Sequence, residues 1–474
     1  MALGLLAPEL TVFGLALLVL GLDLVLPDHR RPLLGYLVAA GLLGAIVLTA
    51  GLAGQRAVIL FETLVVDDLA IFFKLLFLSA ALLLSLTAVD YLRERALPPG
   101  EYFALLLGAT AGFLLLASAR EFVSLYVALE LSALCLYLLA GFERRTPQSP
   151  EAGLKYVLMG AAGSAALLYG IALLFALTGT MDLARLGQVL AAPTPLTLLA
   201  AVLLVAGLGV KVAAVPFHMW VPDVYQGAPT PVTAFLAVAS KAAGFVVLLR
   251  VCETALGALA DLWPLLFGGL AALTMTVGNL LALPQTDLKR LLGYSSVAQA
   301  GYALMGLAVA SPALAASLVF FLLTYLWTTL ATFLVVVFFS ARLGSDEIAA
   351  YQGLGREAPR LLVFSLTVGL LSLIGLPPMA GFIGKVYLFA TALGQGLLWL
   401  VVLALFNTAL SAAYYLRVLR ALFLQESSEP PPALKVPRTL QAALAVALLG
   451  LFGVGLYPGP FLSAAARAVQ VLFP

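Results

Sequence analysis

The chain has few charged residues. Only 10% of its 474 residues are Asp, Glu, Lys or Arg, and 63% are hydrophobic, whereas soluble domains carry about 25% charged and roughly 45–50% apolar residues. The mean hydropathy is +1.11, and no water-soluble fold could cover so much apolar surface. Lys and Arg exceed Asp and Glu by only two, so there is no basic surface for nucleic acid. The composition predicts an integral membrane protein.

The sequence also has few groups that carry redox chemistry. Its two cysteines, Cys135 and Cys252, lie in separate apolar segments and form no C-x-x-C, which argues against a metal site, an iron–sulfur cluster or a disulfide framework. No nucleotide-binding glycine fingerprint follows a strand. The pair Gly384 and Lys385 is not a phosphate loop, because the upstream glycine and the following Ser or Thr are missing. We expect neither a cofactor nor a metal ion in this chain.

The sequence does contain fourteen apolar segments long enough to cross a bilayer, which takes about 20 residues per helix. The first lacks a basic leader and exceeds the roughly 7–15 apolar residues of a signal peptide, so we expect it to be retained. A short surface helix or loop is expected at 181–192 and a linker at 425–437. The fold class is an all-α polytopic membrane protein whose segments cover 3–26, 33–53, 69–89, 102–118, 121–141, 152–177, 196–216, 229–251, 262–283, 290–310, 313–340, 360–392, 397–423 and 437–458.

The basic residues predict the orientation, because Lys and Arg in short loops stay cytoplasmic. Five lie on the side of the membrane reached after even-numbered segments: Arg56, Arg120, Arg185, Arg250 and Arg467. Fifteen follow odd-numbered segments: Arg30, Arg31, Arg93, Arg95, Arg144, Arg145, Lys289, Arg290, Arg342, Arg356, Arg360, Arg417, Arg420, Lys435 and Arg438. The N-terminus is therefore expected outside.

The other five basic residues lie within apolar segments, and all are lysines: Lys74, Lys155, Lys211, Lys241 and Lys385. Desolvated lysine can give up its proton, whereas arginine keeps its charge. A charge near the bilayer centre costs several kcal/mol, so such residues usually line a hydrated path or meet a counter-charge. The set favours proton transfer over anion binding. Lys74 is expected to extend to the outer surface.

Glu130 is the one acidic residue expected to lie deep in the membrane, near the middle of segment 5. It is a candidate partner for a buried lysine. A Glu–Lys pair that only holds two helices together is the alternative, since polar contacts between membrane helices are common.

Segments 7 and 12 are expected to be interrupted at Pro216 and Pro378, because proline removes a backbone donor and frees carbonyls at membrane depth. Lys211 lies near the first interruption and Lys385 near the second. Two broken helices of opposite direction indicate an inverted repeat, although simple kinks are the alternative. The expected units are 1–101 (helices 1–3), 102–252 (helices 4–8), 261–424 (helices 9–13) and 437–474 (helix 14).

Three stretches resemble the antiporter-like membrane subunits of respiratory NADH:quinone oxidoreductase (complex I): VKVAAVPFHMWVPDVYQGAPTPVTAFLAVASKAAGF, LKRLLGYSSVAQAGY and LIGLPPMAGFIGKVYLF. The resemblance covers nearly the whole chain. It implies a 14-helix core with two inverted five-helix repeats, each with a broken helix. The lysine at position 385 indicates a resemblance to the N class of these subunits, because the M class usually has glutamate at that position. The L class also has lysine but carries a long lateral helix that the sequence to Pro474 does not contain.

By this resemblance Glu130 matches the helix 5 glutamate thought to modulate Lys211, the helix 7 lysine. Lys241 matches the central residue of helix 8, and Lys385 the terminal lysine. Lys155 resembles the helix 6 lysine. The resemblance also implies FMN, iron–sulfur clusters and quinone in partner subunits, and a location in the cell (inner) membrane beside other complex I subunits.

Four polar residues have weaker assignments. His218 either relays protons or caps the broken backbone. Tyr294 could form a hydrogen bond with a chain of water molecules, but the favoured interpretation is a tyrosine at the membrane interface. Asp223 and Gln226 are expected in a short loop. The leading function is proton translocation in complex I, and the alternatives are a subunit of a multisubunit cation/proton antiporter and a structural subunit that does not pump.

Overall fold

The computed structural model describes residues 2–190, 193–426 and 434–473. Its described part is helical apart from a small antiparallel hairpin, β1 (Ala57–Ile59) and β2 (Leu64–Val66), in which Ala57 lies opposite Val66. The helices of the first half of the chain are α1 (Ala7–Val25), α2 (Leu33–Ala50), α3 (Asp68–Glu94), α4 (Pro99–Ser118), α5 (Phe122–Ala140), α6 (Gln148–Thr178), α7a (Pro195–Val212), α7b (Trp220–Gly227) and α8 (Thr230–Ala255).

The second half continues the same pattern with α9 (Trp263–Ala282), α10 (Leu288–Leu304), α11 (Pro312–Leu343), α12a (Arg360–Ile374), α12b (Ala380–Gly394), α13 (Leu398–Leu424) and α14 (Arg438–Leu456). In the described ranges, twelve helices are long and apolar enough to span a membrane, and α12a and α12b are shorter apolar helices. These helices confirm an all-α polytopic membrane protein.

Several helices begin where a short polar side chain can satisfy a free backbone N–H. The Asp67 carboxylate accepts a hydrogen bond from the Ala70 amide at 2.7 Å, and Asp287 accepts one from the Arg290 amide at 2.8 Å. Thr194 does the same for the Thr197 amide. Such caps stabilise a helix start by roughly 0.5–2 kcal/mol. They fix the first turns of α3, α10 and α7a.

Two helices form the centre of the bundle. Helix α8 is buried along its whole membrane-spanning window, and α11 along nearly all of its window. In the peripheral helices α1 and α2, only 33% of the membrane-spanning window is buried. Helix α8 also contains a π-helical turn at Leu236–Ser240, directly before Lys241, and such turns occur frequently at functional sites.

Two helices are interrupted where the prolines predict it. Helix α7a ends at Val212, and the next residue, Ala213, has the left-handed φ of +63°. Helix α7b begins at Trp220. Helix α12a ends at Ile374, Gly375 has φ +96°, and α12b begins at Ala380. The interruptions confirm two broken helices. That helices 4–8 and 9–13 form inverted repeats stays a prediction.

Two local expectations need correction. Asp223 and Gln226 lie on helix α7b, not in a loop, because the chain becomes helical again after the break. Residues after 458 form a further short helix, Gly459–Val469, which was missed because its 11 residues are too few for a spanning segment. Leu183–Val189 confirms the expected short helix, whereas much of the expected linker at 425–437 lies outside the described residues.

Candidate functional site

Lys211 lies in the last turn of α7a, just before the break. Its Nζ is 3.5 Å from the Tyr137 hydroxyl oxygen on α5 and 5.5 Å from the centre of the Tyr137 ring. The Glu130 carboxylate accepts a hydrogen bond from the Ser164 hydroxyl, and the described residues include no salt bridge between Glu130 and Lys211. The direct form of the expected pair is therefore absent, and a contact through one water stays a prediction.

Lys241 lies at the centre of the bundle, with only 3% of its surface exposed. Its Nζ donates to both the backbone carbonyl and the hydroxyl of Ser296 on α10. The Ser296 hydroxyl donates in turn to the Tyr225 hydroxyl at 3.1 Å. Lys241 thus has polar partners but no acidic partner among the described residues, an arrangement that leaves an ammonium group poorly compensated in an apolar core.

Lys385 lies in the second turn of α12b and uses the carbonyls that the break sets free. Its Nζ donates to the Leu373 carbonyl at 2.9 Å and to the Ile374 carbonyl at 3.1 Å. It also lies 4.9 Å from the centre of the Tyr302 ring, a cation–π distance. The broken helix therefore provides ligands for a cation that an intact helix would have kept for its own hydrogen bonds.

Two polar side chains one turn apart on α10, Ser296 and Gln299, reach the sites of Lys241 and Lys385 respectively, with no hydrogen bond between them among the described residues. Gln299, one turn after Ser296, donates to the Leu373 carbonyl at 3.2 Å, the same oxygen that Lys385 contacts. Ser296 and Gln299 are both almost fully buried. Sequence reasoning missed them, although small polar residues at a spacing of three within LKRLLGYSSVAQAGY were a usable signal.

Lys211 and Lys241 lie on packed helices without touching. A Cβ built on Gly244 of α8 would come within 3.3 Å of the Lys211 Cβ, so α7a and α8 approach closely one turn from Lys241. No hydrogen bond links the two ammonium groups in the described part of the chain. Proton transfer between them would require water.

Lys155 belongs to a surface network, not to the buried site. Its Nζ lies 2.6 Å from Asp223 and 2.8 Å from Glu151, and its side chain is 42% exposed. Arg290 contacts the other carboxylate oxygen of Asp223 at 2.6 Å. We call this end of the bundle, with the α5–α6, α9–α10 and α11–α12 loops, the basic end.

A cavity of about 270 Å³ opens at the basic end. Charged side chains of both signs line it, among them Arg95, Lys289, Asp287 and Asp346. Burial raises the pKa of Asp287, which lies in the loop before α10, and the neighbouring Asp346 carboxylate adds to this effect. The cavity thus places a mixed set of charged and polar side chains at this end of the bundle.

His218 and Tyr294 remain peripheral to the lysines. His218 lies half-buried in the break of helix 7, where both expected roles are compatible with its position. Tyr294 lies under the Arg290 guanidinium, with the Arg290 Cζ 5.9 Å from the ring centre. Whether either residue relays protons stays a prediction.

Lys74 does not reach the surface. It is 1% exposed, and its Nζ lies 2.5 Å from the Glu9 carboxylate of α1, which is also buried. Glu9 is therefore a second acidic residue within an apolar helix, and it is buried. Glu9 was overlooked because it lies near the start of the first segment, where an exposed position is the usual case, and Glu130 itself is only partly buried.

Comparison with known proteins identifies the family. The profile described as NADH:quinone oxidoreductase/Mrp antiporter, TM, matches residues 119–411, which is more than half of the chain. This chain belongs to the NADH:quinone oxidoreductase/Mrp antiporter transmembrane family. The match includes both breaks and the lysines at 155, 211, 241 and 385.

Relatives in this family match along their whole length. NADH-quinone oxidoreductase subunit N of Moorella thermoacetica is 43% identical and covers 99% of both chains. F(420)H(2) dehydrogenase subunit N of Methanosarcina mazei is 38% identical with the same coverage. A chain of respiratory complex I from Thermus thermophilus with bound aureothin has a TM-score of 0.82 at 38% identity and covers 97% of this chain and 99% of that chain.

Proposed function

We propose that this chain is a proton-translocating membrane subunit of respiratory complex I, which couples quinone reduction elsewhere in the complex to proton transfer through buried lysines. The observation that carries the proposal is that two buried polar side chains one turn apart on α10 reach both lysine sites. Ser296 accepts a hydrogen bond from Lys241, and Gln299 donates to the Leu373 carbonyl that also accepts from Lys385. Ionisable groups inside a membrane protein generally mark an ion or proton path. Similarity to subunit N and to a complex I chain supports the same assignment.

The proposed route runs from the cytoplasm to Lys211, then through Lys241 to Lys385 and out. The basic end faces the cytoplasm and the N-terminus lies outside, in accordance with the positive-inside rule. Glu130 tunes Lys211 from a neighbouring helix by Coulomb attraction, which is strong in a medium of low dielectric constant. Lys155 belongs to the entrance network, and His218 and Tyr294 are secondary relay candidates.

The proposed units are an N-terminal part (1–101), two inverted repeats (102–252 and 261–424) and a C-terminal helix (437–474). Each repeat contributes one broken helix, and Lys241 stands between them. The support is that each break lies beside a lysine. FMN, iron–sulfur clusters and quinone belong to partner subunits, among them the other antiporter-like subunits, in the cell (inner) membrane.

Lys385→Met tests this function, because methionine retains the apolar stem but cannot carry a proton. The intact complex is reconstituted in vesicles, and quinone reduction and pH-gradient formation are measured together. We expect both to fall by about tenfold or more, since a positioned proton-transfer group typically contributes roughly 10²–10⁴-fold.

Lys435→Met is the matched control, because Lys435 is exposed near the start of α14 and should retain both activities. Unchanged pumping in an assembled Lys385→Met complex would contradict the function. Cation-driven proton exchange without any quinone reduction would favour an antiporter instead.

A further inference from the structure

A large groove opens on the outer surface of the bundle at the basic end. It has a volume of about 840 Å³ and lies between the C-terminal ends of α1 and α5 and the N-terminal ends of α4 and α6. Its lining is mostly apolar and includes Leu20, Leu105, Leu138 and Leu154. Leu138 and Leu154 are each 61% exposed. At this depth an apolar groove faces acyl chains or another apolar segment, not water.

Close packing of α5 against α6 forms the floor of the groove. A Cβ built on Gly153 would lie 3.0 Å from the Cα of Gly141, so only glycines allow the two helices to approach this closely. Tyr137 lies one turn from Gly141 and also lines the groove. Its hydroxyl is the group that faces Lys211. The groove is therefore continuous with the surroundings of a buried lysine.

Charge at the mouth of the groove identifies the occupant. Arg144 and Arg145 line the mouth and are exposed, and neither forms a salt bridge with any residue that the structure describes. Glu143, their sequence neighbour, is already held by Arg95 at 3.4 Å and by the Tyr91 hydroxyl at 3.4 Å. Glu101 is the acidic residue at the rim, so the two arginines outnumber it.

We propose that this groove binds an anionic diacyl phospholipid, with its phosphate at Arg144 and Arg145 and an acyl chain along α5 and α6 toward Tyr137. Arginine contacts phosphate through a planar fork of donors, and basic pockets between membrane helices on the cytoplasmic side are suited to anionic headgroups. A segment of a neighbouring subunit would fill the apolar part but would leave the two arginines without an anion.

Photo-crosslinking in the intact complex tests the proposal. Leu154 is replaced by benzoylphenylalanine, and the complex is reconstituted in phosphatidylcholine vesicles that contain increasing fractions of labelled phosphatidylglycerol. We expect a saturable adduct with phosphatidylglycerol. The double variant Arg144→Gln/Arg145→Gln should shift half-saturation by about thirtyfold, since each arginine near the membrane surface contributes roughly fivefold.

The double variant Arg356→Gln/Arg360→Gln is the matched control, because both arginines are exposed at the same end but do not line the groove. It should leave half-saturation unchanged. An adduct with a polypeptide, labelling of phosphatidylcholine as strong as that of phosphatidylglycerol, or the same half-saturation in the Arg144→Gln/Arg145→Gln variant would each overturn the proposal.

Discussion

At the scale of single residues, the buried lysines differ in what compensates their charge. Lys74 has a carboxylate partner at 2.5 Å, whereas Lys241 has a serine and Lys385 has two backbone carbonyls. Neutral partners compensate a buried ammonium group less than a carboxylate does. Partner type therefore distinguishes Lys74 from the two lysines that the proposed path uses.

Ser296→Ala should weaken proton transfer at Lys241, because it removes the hydroxyl that joins Lys241 to Tyr225. A hydrogen bond to a charged group contributes about 1.5–3 kcal/mol, so we expect about a tenfold loss of proton pumping in reconstituted vesicles. Ser317→Ala is the control, since Ser317 is equally buried but bonds only to the Leu314 carbonyl of its own helix. Equal activity of the two variants would remove Ser296 from the path.

Lys74→Met should destabilise the complex without interrupting the proton path, because it leaves the Glu9 carboxylate buried and uncompensated. Breaking such a pair costs about 3–5 kcal/mol, while replacing both partners with apolar residues is often neutral. The thermal midpoint of the purified complex should therefore fall for Lys74→Met and recover in Glu9→Leu/Lys74→Met. A double variant that is less stable than the single one would contradict this assignment.

Sequence reasoning located the lysines but not their partners. Rarity of charge in an apolar chain singled out Lys211, Lys241 and Lys385, since each needs a reason to be buried. Ser296 and Gln299 carry no such signal, because serine and glutamine in membrane helices are ordinary residues. Lys74 was misplaced because periodicity within one helix does not reveal a partner on a helix some sixty residues away in sequence.

At the scale of elements, the break in helix 12 depends on a close contact between its two halves. A Cβ built on Gly381 would collide with the Ser372 carbonyl, and the Gly381 amide donates to the Ser372 hydroxyl at 3.0 Å. The Thr328 hydroxyl of α11 lies 2.8 Å from the same Ser372 oxygen. This contact holds the freed carbonyls of α12a in reach of Lys385.

Gly381→Ala should disturb that arrangement, because the added methyl must displace backbone. Overpacking of this kind costs about 1–3 kcal/mol, so we expect a lower thermal midpoint of the assembled complex. Gly394→Ala is the control on the same helix, since a Cβ there would meet no described atom within 4 Å. A Gly381→Ala complex as stable as the Gly394→Ala complex would show that the two halves are not tightly packed.

Two prolines made the breaks predictable, whereas other elements gave no clear signal. Pro216 and Pro378 lie inside apolar runs. Because proline has no backbone N–H, each of them predicts an interruption of its helix. The hairpin β1–β2 consists of two three-residue strands. These are too short to show the alternation of apolar and polar residues that predicts a strand. Helix α7b was taken for a loop because its eight residues include a proline and a glycine.

At the scale of the whole molecule, α8 and α11 form a buried centre between the two broken helices. The central claim is that protons pass through Lys241 between the sites of Lys211 and Lys385. Lys241 is the one of these three that lies on the fully buried helix α8, which is why we assign it the central position in the path. The apolar segments of the sequence predicted this helical architecture. The sequence could not predict the water that proton transfer between Lys211 and Lys241 requires.

The most direct test compares Lys241→Ala, Lys241→Arg and Lys435→Ala in the intact complex in vesicles, with pH-gradient formation and quinone reduction followed together. The account predicts normal assembly and a loss of both activities in the two Lys241 variants, because alanine cannot carry a proton and arginine does not release one. Lys435→Ala, exposed near the start of α14, should retain both. Normal pumping by an assembled Lys241→Ala complex would contradict the central relay.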